Sequence, residues 1–189
     1  MSRPPGMREP TLRLSLPQGG ITDGDVVLRV PTEDDIDALL PAVADPELRE
    51  AANMPNVGRE QAQASIAHLP ALMASGRMLA MTALDATGDI VGGGILHHLD
   101  AERGIVEIGY WVLPHARRRG IARQIARLLA EHAFALGIER VAAYVNVDNH
   151  ASERVLDRAG YTREGVVRSL PKPDGRRVDK TLFSLLPGE

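Results

Sequence analysis

The chain has 189 residues, of which 44% are hydrophobic and 25% are charged, a composition typical of a globular protein with a substantial core. A formal net charge of -3 and an aromatic content of 3% argue against a protein that binds nucleic acid or anionic membranes. There is no cysteine, which excludes disulfides, thiolate metal ligands and a cysteine nucleophile. No apolar run reaches the roughly 18 residues of a membrane span and no secretory signal opens the chain, so we expect a cytoplasmic protein.

Periodic apolar residues predict a mixed set of helices and strands. Residues 1–20 are predicted to be a flexible segment or edge strand, with a short strand at 11–16, and residues 21–189 a single domain. The next prediction is a strand at 26–30, then a helix capped by Thr32 and a helix at 59–74, with Pro46 breaking the stretch between them. The later predicted elements are strands at 77–84, 90–97 and 105–113, a helix at 119–136, a strand at 140–147, a helix at 149–159, and a hairpin of 161–170 with 178–186 around Pro173-Asp174-Gly175. This order predicts a mixed α/β (α+β) protein with one sheet, not a doubly wound repeat.

The strongest chemical feature is a basic turn between a strand and a helix. It reads Arg117-Arg118-Arg119-Gly120-Ile121-Ala122. The first N–H groups of a helix have no partner within the helix and carry partial positive charge, so they bind phosphate. Gly120 allows close approach of a ligand to the backbone. Alone, the turn could equally be a solvated, arginine-rich helix start.

The blocks around this turn resemble the GNAT N-acetyltransferases. The turn matches the family's pattern of Arg or Gln, two residues, Gly, one residue, then Gly or Ala. It follows 105–112, which is similar to the family's fourth strand, and precedes Asn146-Val147-Asp148-Asn149-His150-Ala151-Ser152 and Ala159-Gly160-Tyr161. Together with Glu107-Ile108-Gly109-Tyr110-Trp111 and Tyr161-Thr162-Arg163-Glu164-Gly165, these blocks resemble the RimJ/RimL-like branch. The resemblance covers roughly residues 25 to 186.

The resemblance implies a mostly antiparallel sheet of about six to seven strands with about four helices, whose fourth and fifth strands splay apart. It also implies that acetyl-CoA binds along this chain. The backbone of Trp111, Val112 and Leu113 would pair with pantetheine like an added strand. The pyrophosphate would lie on the N–H groups of Arg119, Gly120, Ile121 and Ala122, with the side chains of Arg117, Arg118 and Arg123 neutralising charge, and Asn149 would bond pantetheine or hold the splayed strand end.

Glu107 and Ser152 are the candidate catalytic residues. Glu107 is a lone carboxylate in an apolar strand, and the family often uses a glutamate there as the base, directly or through a water. The alternative is a structural partner for an arginine or for backbone. Many members carry a tyrosine that acts as the general acid where this chain has Leu156. Ser152 is therefore the candidate acid here, and Tyr144 is a weaker candidate. Ser152 could instead be an ordinary residue of the first helical turn. The N–H of Val112 or Leu113 is the candidate oxyanion donor.

Two other patterns are assigned no cofactor. Adjacent residues of a strand point to opposite faces, so His97 and His98 are not expected to hold one ion together, and we expect no metal site. The run Gly92-Gly93-Gly94 precedes no helix, so it predicts a bulge or close backbone approach within the sheet.

The predicted activity is acyl-CoA-dependent transfer of an acetyl group to an amine by direct attack in a ternary complex. The acceptor is either a protein N-terminus, as in ribosomal-protein alanine acetylation, or a small amine. The helices at about 34–75 and the last hairpin should shape its pocket. The acidic Glu33, Asp34 and Asp35 would suit a cationic acceptor, but a helix start explains them as well. The alternatives are a catalytically silent CoA-binding module and transfer from a longer donor such as succinyl-CoA. The expected partners are these substrates, without nucleic acid or membrane, for a monomer or homodimer.

Overall fold

A computed structural model describes residues 12–52, 57–172 and 175–189 as one eight-stranded sheet with helices packed against it. Two short 3-10 turns lie at Glu33–Asp35 and Pro114–Ala116. The strands are β1 (Ile21–Thr22), β2 (Val26–Arg29), β3 (Leu79–Asp85), β4 (Ile90–Asp100), β5 (Ile105–Val112), β6 (Arg140–Asn146), β7 (Thr162–Pro171) and β8 (Arg177–Leu185). The helices are α1 (Ile36–Ala44), α2 (Pro46–Ala52), α3 (Arg59–Ala74), α4 (Ile121–Ala135) and α5 (His150–Ala159).

The strand order is β1-β2-β3-β4-β5-β6-β8-β7, and every neighbouring pair is antiparallel except β5 with β6. The parallel ladder between β5 and β6 covers three residue pairs and ends at Glu107 and Ala142. Beyond that point β5 continues to pair with β4, and β6 with β8. The two strands therefore part in the middle of the sheet, which confirms the predicted splay.

Helix α4 supplies much of the core. Its residues Ile125, Leu129 and Ala133 are fully buried, one helical turn apart on a face that packs against β4 and β5. A methyl group added at Gly94 of β4 would lie 2.9 Å from Leu129 Cδ1, so the helix sits directly on the glycine. This contact sets how closely the middle of α4 packs against β4.

The other two glycines of β4 admit β5. A Cβ at Gly92 would lie 2.3 Å from the Trp111 carbonyl oxygen, and one at Gly93 would lie 2.7 Å from the Trp111 ring. The pairing of β3 with β4 also shifts register beside Gly92. The predicted close approach and bulge at this run are confirmed.

Most predicted elements are found to within a few residues, and α3 has the predicted bounds. Pro46 separates α1 from α2, as predicted, but the stretch after it is helical, because proline fits the first position of a helix and begins α2 there. Residues 12–16 form no strand: Leu14 donates one hydrogen bond to Gly76 O (2.7 Å), and the edge strand is β1 instead. The described residues form eight strands and five α-helices, each count just above the prediction, because β1 and α2 were not foreseen.

Two predictions fall outside the described residues in whole or in part. Residues 1–11, including the first residue of the predicted 11–16 strand, lie outside them. So do residues 173 and 174 of the predicted hairpin turn, although the described Lys172 N donates to Arg176 O across it at 2.8 Å. Among the described helices, none has the length and apolar character needed to cross a membrane.

Candidate active site

The turn before α4 presents backbone N–H groups to one side of the sheet. Gly120 caps the helix in the left-handed region (φ 83°), and Arg118 is also left-handed (φ 63°). The Gly120 carbonyl accepts from the N–H groups of Arg123 and Gln124, so the N–H groups that precede these have no carbonyl within the helix to bond. A turn with left-handed residues that ends on a helix start makes a concavity for anions.

The three arginines of this turn have different surroundings. Arg117 forms an ion pair with Asp45 (2.6 Å) and Arg119 one with Asp85 (3.2 Å). Asp45 follows α1 and Asp85 ends β3, so these two pairs tie the turn to the rest of the fold. The Arg119 side chain does not reach the cleft described next, although its neighbours do.

We call that cleft, of about 640 Å³ between α4, α5 and the end of β5, the arginine cleft. Among the described residues, none that lines it carries a carboxylate, which is notable in a chain of net charge -3. Such an arrangement attracts a polyanion. The arginines that line it are Arg117, Arg118, Arg123, Arg154 and Arg158. Sequence reasoning missed Arg154 and Arg158, whose i, i+4 spacing on α5 was the available signal.

The part of β5 that follows Glu107 presents backbone groups to the gap between β5 and β6. The N–H of Leu113 donates to Val91 O (2.9 Å), and its carbonyl accepts from Ala116 N (2.9 Å). Successive N–H groups of a strand point to opposite sides, so the N–H of Val112 points away from β4, toward the gap. The N–H of Leu113 is already bonded, so Val112 is the better placed of the two candidate oxyanion donors, and the contact of Leu113 with pantetheine stays a prediction.

Ser152 lies at the edge of the arginine cleft and is held there by hydrogen bonds with two residues. Asn149 caps α5, and its Oδ1 accepts from Ser152 N (3.0 Å). The Ser152 Oγ lies 2.7 Å from the Tyr110 hydroxyl of β5, and that hydroxyl also donates to Ser152 O (3.3 Å). Burial raises the pKa of Tyr110, which keeps the phenol neutral. Leu156, where relatives can carry a tyrosine, is fully buried in the core.

A second cavity of about 790 Å³ opens on the other side of Ser152, and we call it the histidine cavity. Helices α1 and α3 contribute Leu39, Ile66 and Leu69, and β8 contributes Lys180. The two cavities share four lining residues, which are Tyr110, Trp111, Asn149 and Ser152. They therefore meet where β5 and β6 have parted.

Glu107 lies in the histidine cavity with both histidines of β4. Its Oε2 is 3.1 Å from His98 Nδ1, and the Nδ1 atoms of His97 and His98 are also 3.1 Å apart. The expectation that the two rings face opposite sides was wrong. The ladder of β4 and β5 shifts register between His97 and Asp100, and His98 is left-handed (φ 51°), so the strand alternation breaks at this bulge.

The acidic residues before α1 are not part of this cavity. Asp35 accepts two hydrogen bonds from Arg29, at 2.7 and 2.8 Å, and one from Thr32 N at 2.9 Å. Burial alone would raise the pKa of Asp35, but these bonds outweigh it and lower the pKa. Neither Asp35 nor its neighbours Glu33 and Asp34 line the cavity, so the structure does not support them as the site of a cationic acceptor.

Comparison with protein families decides the identity. Residues 25–162 match the family described as "Acetyltransferase (GNAT) domain". The chain belongs to the GNAT acetyltransferase family. It is thus an acyl-CoA-dependent N-acetyltransferase by family, as its sequence resemblance indicated.

Individual GNAT proteins support the assignment. The "Uncharacterized N-acetyltransferase YoaA" of Bacillus subtilis (strain 168) is 29% identical over 165 residues, which cover 85% of this chain and 93% of that protein. The solved RimL ribosomal L7/L12 α-N-protein acetyltransferase, in complex with coenzyme A, has a TM-score of 0.75 at 22% identity over 86% of this chain and 94% of its own. The microcin C7 self-immunity acetyltransferase MccE, in complex with acetyl-CoA and AMP, has a TM-score of 0.78 at 20% identity, with 91% and 98% covered. At these identities the two structures establish a shared GNAT fold.

Proposed function

We propose that this GNAT protein transfers the acetyl group of acetyl-CoA to an amine by direct attack, with the donor in the arginine cleft and the acceptor in the histidine cavity. The observation that carries the proposal is the junction of the two cavities at Tyr110, Trp111, Asn149 and Ser152. A thioester that reaches this junction from one side meets an amine that reaches it from the other. The active unit in this proposal is a single domain over residues 21–189.

In the donor half, the pyrophosphate of coenzyme A lies on the free N–H groups of the turn before α4. Arg118, Arg123, Arg154 and Arg158 add positive charge around it. The pantetheine arm then runs along β5, where the N–H of Val112 faces the gap. Trp111 contributes to the junction, and Asn149, whose Oδ1 is used by the helix cap, has its amide NH₂ left for the ligand. The MccE complex with acetyl-CoA and the RimL complex with coenzyme A show that the fold accommodates such a donor.

In the acceptor half, Glu107 removes a proton from the attacking ammonium group, directly or through a water. The amine nitrogen then forms a bond to the thioester carbonyl carbon, while the N–H of Val112 stabilises the oxyanion. His98, exposed and 3.1 Å from Glu107, offers the proton a route to solvent. The placement of Glu107 at the last residue pair before β5 and β6 part supports this role.

The departing thiolate takes its proton from the Ser152 hydroxyl as the carbon–sulfur bond breaks, and the positively charged nitrogen of the intermediate gives up its second proton to restore that hydroxyl and leave a neutral amide. Tyr110, kept neutral by burial, is within 2.7 Å of the Ser152 hydroxyl and holds it in position by a hydrogen bond. The tyrosine expected at Leu156 is therefore replaced in this proposal by a hydroxyl pair from β5 and α5. Tyr144 also lines the histidine cavity, and burial raises its pKa, but no described hydrogen bond links it to Ser152.

The proposal is tested by following thiol release from acetyl-CoA with a panel of amines: a peptide with N-terminal alanine, a polyamine and a free amino acid. We expect turnover with one acceptor class and loss of turnover in Ser152→Ala with coenzyme A binding retained. Succinyl-CoA in place of acetyl-CoA measures donor choice. Tight coenzyme A binding with no turnover on any amine would overturn the proposal in favour of a catalytically silent module.

A further inference from the structure

We propose that His97, His98 and Glu107 form a binding site for a divalent transition metal ion such as Zn²⁺ on the wall of the histidine cavity. One ligand atom from each residue, a ring nitrogen of each histidine and a carboxylate oxygen of Glu107, lies within 4.8 Å of the other two. This inference replaces the expectation, drawn from strand alternation, that the two histidines could not share an ion.

The spacing of the ligand atoms suits zinc. With bonds of about 2.0–2.1 Å to nitrogen and oxygen, neighbouring ligands of a tetrahedral ion lie about 3.3 Å apart. Two of the three separations, His97 Nδ1 to His98 Nδ1 and His98 Nδ1 to Glu107 Oε2, are 3.1 Å. The third, from His97 to Glu107, can shorten by rotation of the Glu107 side chain, which is 28% exposed.

Hydrogen bonds satisfy this cluster poorly. His98 Nδ1 is 3.1 Å from both partners. If it carries a proton and donates to Glu107, it has no lone pair left to accept from His97. If it carries none, its lone pair faces the carboxylate. A cation accepts electron pairs from all three atoms at once, so it satisfies both contacts.

The backbone at the bulge builds the site. The left-handed conformation of His98 (φ 51°) turns its ring to the side of His97, and the paired strand β5 supplies Glu107 opposite His97. Three protein ligands with the cavity side open are typical of sites that exchange the fourth ligand. Imidazole and carboxylate donors suit Zn²⁺, and imidazole also suits Cu²⁺ and Ni²⁺.

The consequence for catalysis rests on the proposed function. An ion on Glu107 takes the lone pair that the base uses and lies where the acceptor amine must approach. Bound metal should therefore inhibit the transfer in competition with the acceptor and leave the affinity for coenzyme A unchanged.

Direct binding tests the site without reference to activity. Zn²⁺ is titrated calorimetrically into the metal-free protein, and Co²⁺ is added separately to follow its visible absorption. We expect one ion per chain, and binding more than about 100-fold weaker in His97→Ala, His98→Ala and Glu107→Gln, because even outer-shell partners are worth about 10–100-fold. The matched control is His150→Ala, since His150 makes the same 3.1 Å contact with Glu153 but has no second histidine in its cluster.

Two outcomes overturn the metal site: no binding tighter than that of the three variants, or equal loss of binding in His150→Ala. Turnover with and without Zn²⁺, each protein compared with its own metal-free rate, then tests the link to catalysis. Inhibition of the wild type that a chelator reverses, and that His98→Ala escapes, supports the link. Site-specific binding without inhibition leaves the metal site standing and contradicts Glu107 as the base.

Discussion

The arginine cleft and the histidine cavity are assembled in different ways. The turn proposed to bind phosphate in the arginine cleft comes from one continuous stretch, the end of β5, the turn at 117–120 and the start of α4, with α5 as the second wall. The histidine cavity takes its walls from α1, α3 and five strands. A turn formed by consecutive residues keeps its shape when distant elements of the fold change. A cavity whose walls come from distant elements changes shape with any of them. This suits a common donor and a variable acceptor.

The largest expected effect comes from changing Glu107, the proposed general base, which lies in the histidine cavity alone. In Glu107→Gln we expect kcat to fall by about 10²–10⁴-fold, the usual contribution of a positioned proton acceptor. The affinity for coenzyme A should not change, because Glu107 does not line the arginine cleft. Steady-state kinetics in the presence of a chelator, beside coenzyme A calorimetry, make the measurement. Glu131→Gln on α4, outside both cavities, is the control. An equal loss of kcat in this variant would contradict a specific role for Glu107.

The reciprocal change is Gly120→Glu, which places an anion where the pyrophosphate should lie. We expect coenzyme A to bind about 100-fold more weakly, since opposed like charges cost several kcal/mol. Gly120→Ala is the matched control: the same left-handed position is strained, but an added Cβ meets nothing within 4 Å. Calorimetric titration of both variants isolates the charge. Equal affinities in the two would show that the phosphates bind elsewhere.

Tyr110→Phe tests the boundary between the regions. The variant loses the hydroxyl 2.7 Å from Ser152 Oγ, and removal of one such hydrogen bond should lower kcat about 5–10-fold. Tyr161→Phe removes a comparable buried hydroxyl, bonded to Ala126 O at 3.3 Å, that lines neither cavity. Single-turnover rates of the two variants are compared. If both fall alike, Tyr110 acts through stability and not through Ser152.

The smallest expected effect concerns Glu164, a residue of the sheet that carries both regions. Hydrogen bonds from Arg140 and Ser184 lower the pKa of Glu164 to about 2. A carboxyl whose pKa is depressed on folding stabilises the protein above its ordinary pKa, and this is lost as pH falls from about 5 toward 2. Because the side chain is 34% exposed, we expect Glu164→Gln to cost less than about 1 kcal/mol at neutral pH. Thermal unfolding from pH 7 to pH 3 measures it; a gap between variant and wild type that does not narrow on acidification would contradict the assignment.

The same contrast explains what the sequence could predict. The turn before α4, the strand that precedes it and the Asn149–Ser152 block are local patterns, and the structure has the elements they predict. Tyr110 and Ser152, which contact each other, are 42 positions apart in the sequence. The local pattern around either residue carries no sign of the other, so this contact could not be predicted. The bulge at His98 was invisible because it follows from the register of β4 against β5, and strand alternation holds only where no bulge intervenes.

The parting of β5 from β6 also has a thermodynamic consequence. Among the described residues, three pairs join β5 to β6, and beyond them these two strands do not pair with each other. A pantetheine arm that bonds to β5 would add hydrogen bonds along this edge of the strand. It would bind the folded chain and not the unfolded one. Folding and donor binding are then linked equilibria, with a gain in unfolding free energy of RT ln(1 + [L]/Kd). In a cell, the ratio of acetyl-CoA concentration to Kd would set not only the rate of acetylation but also how much of this protein is folded at a given temperature.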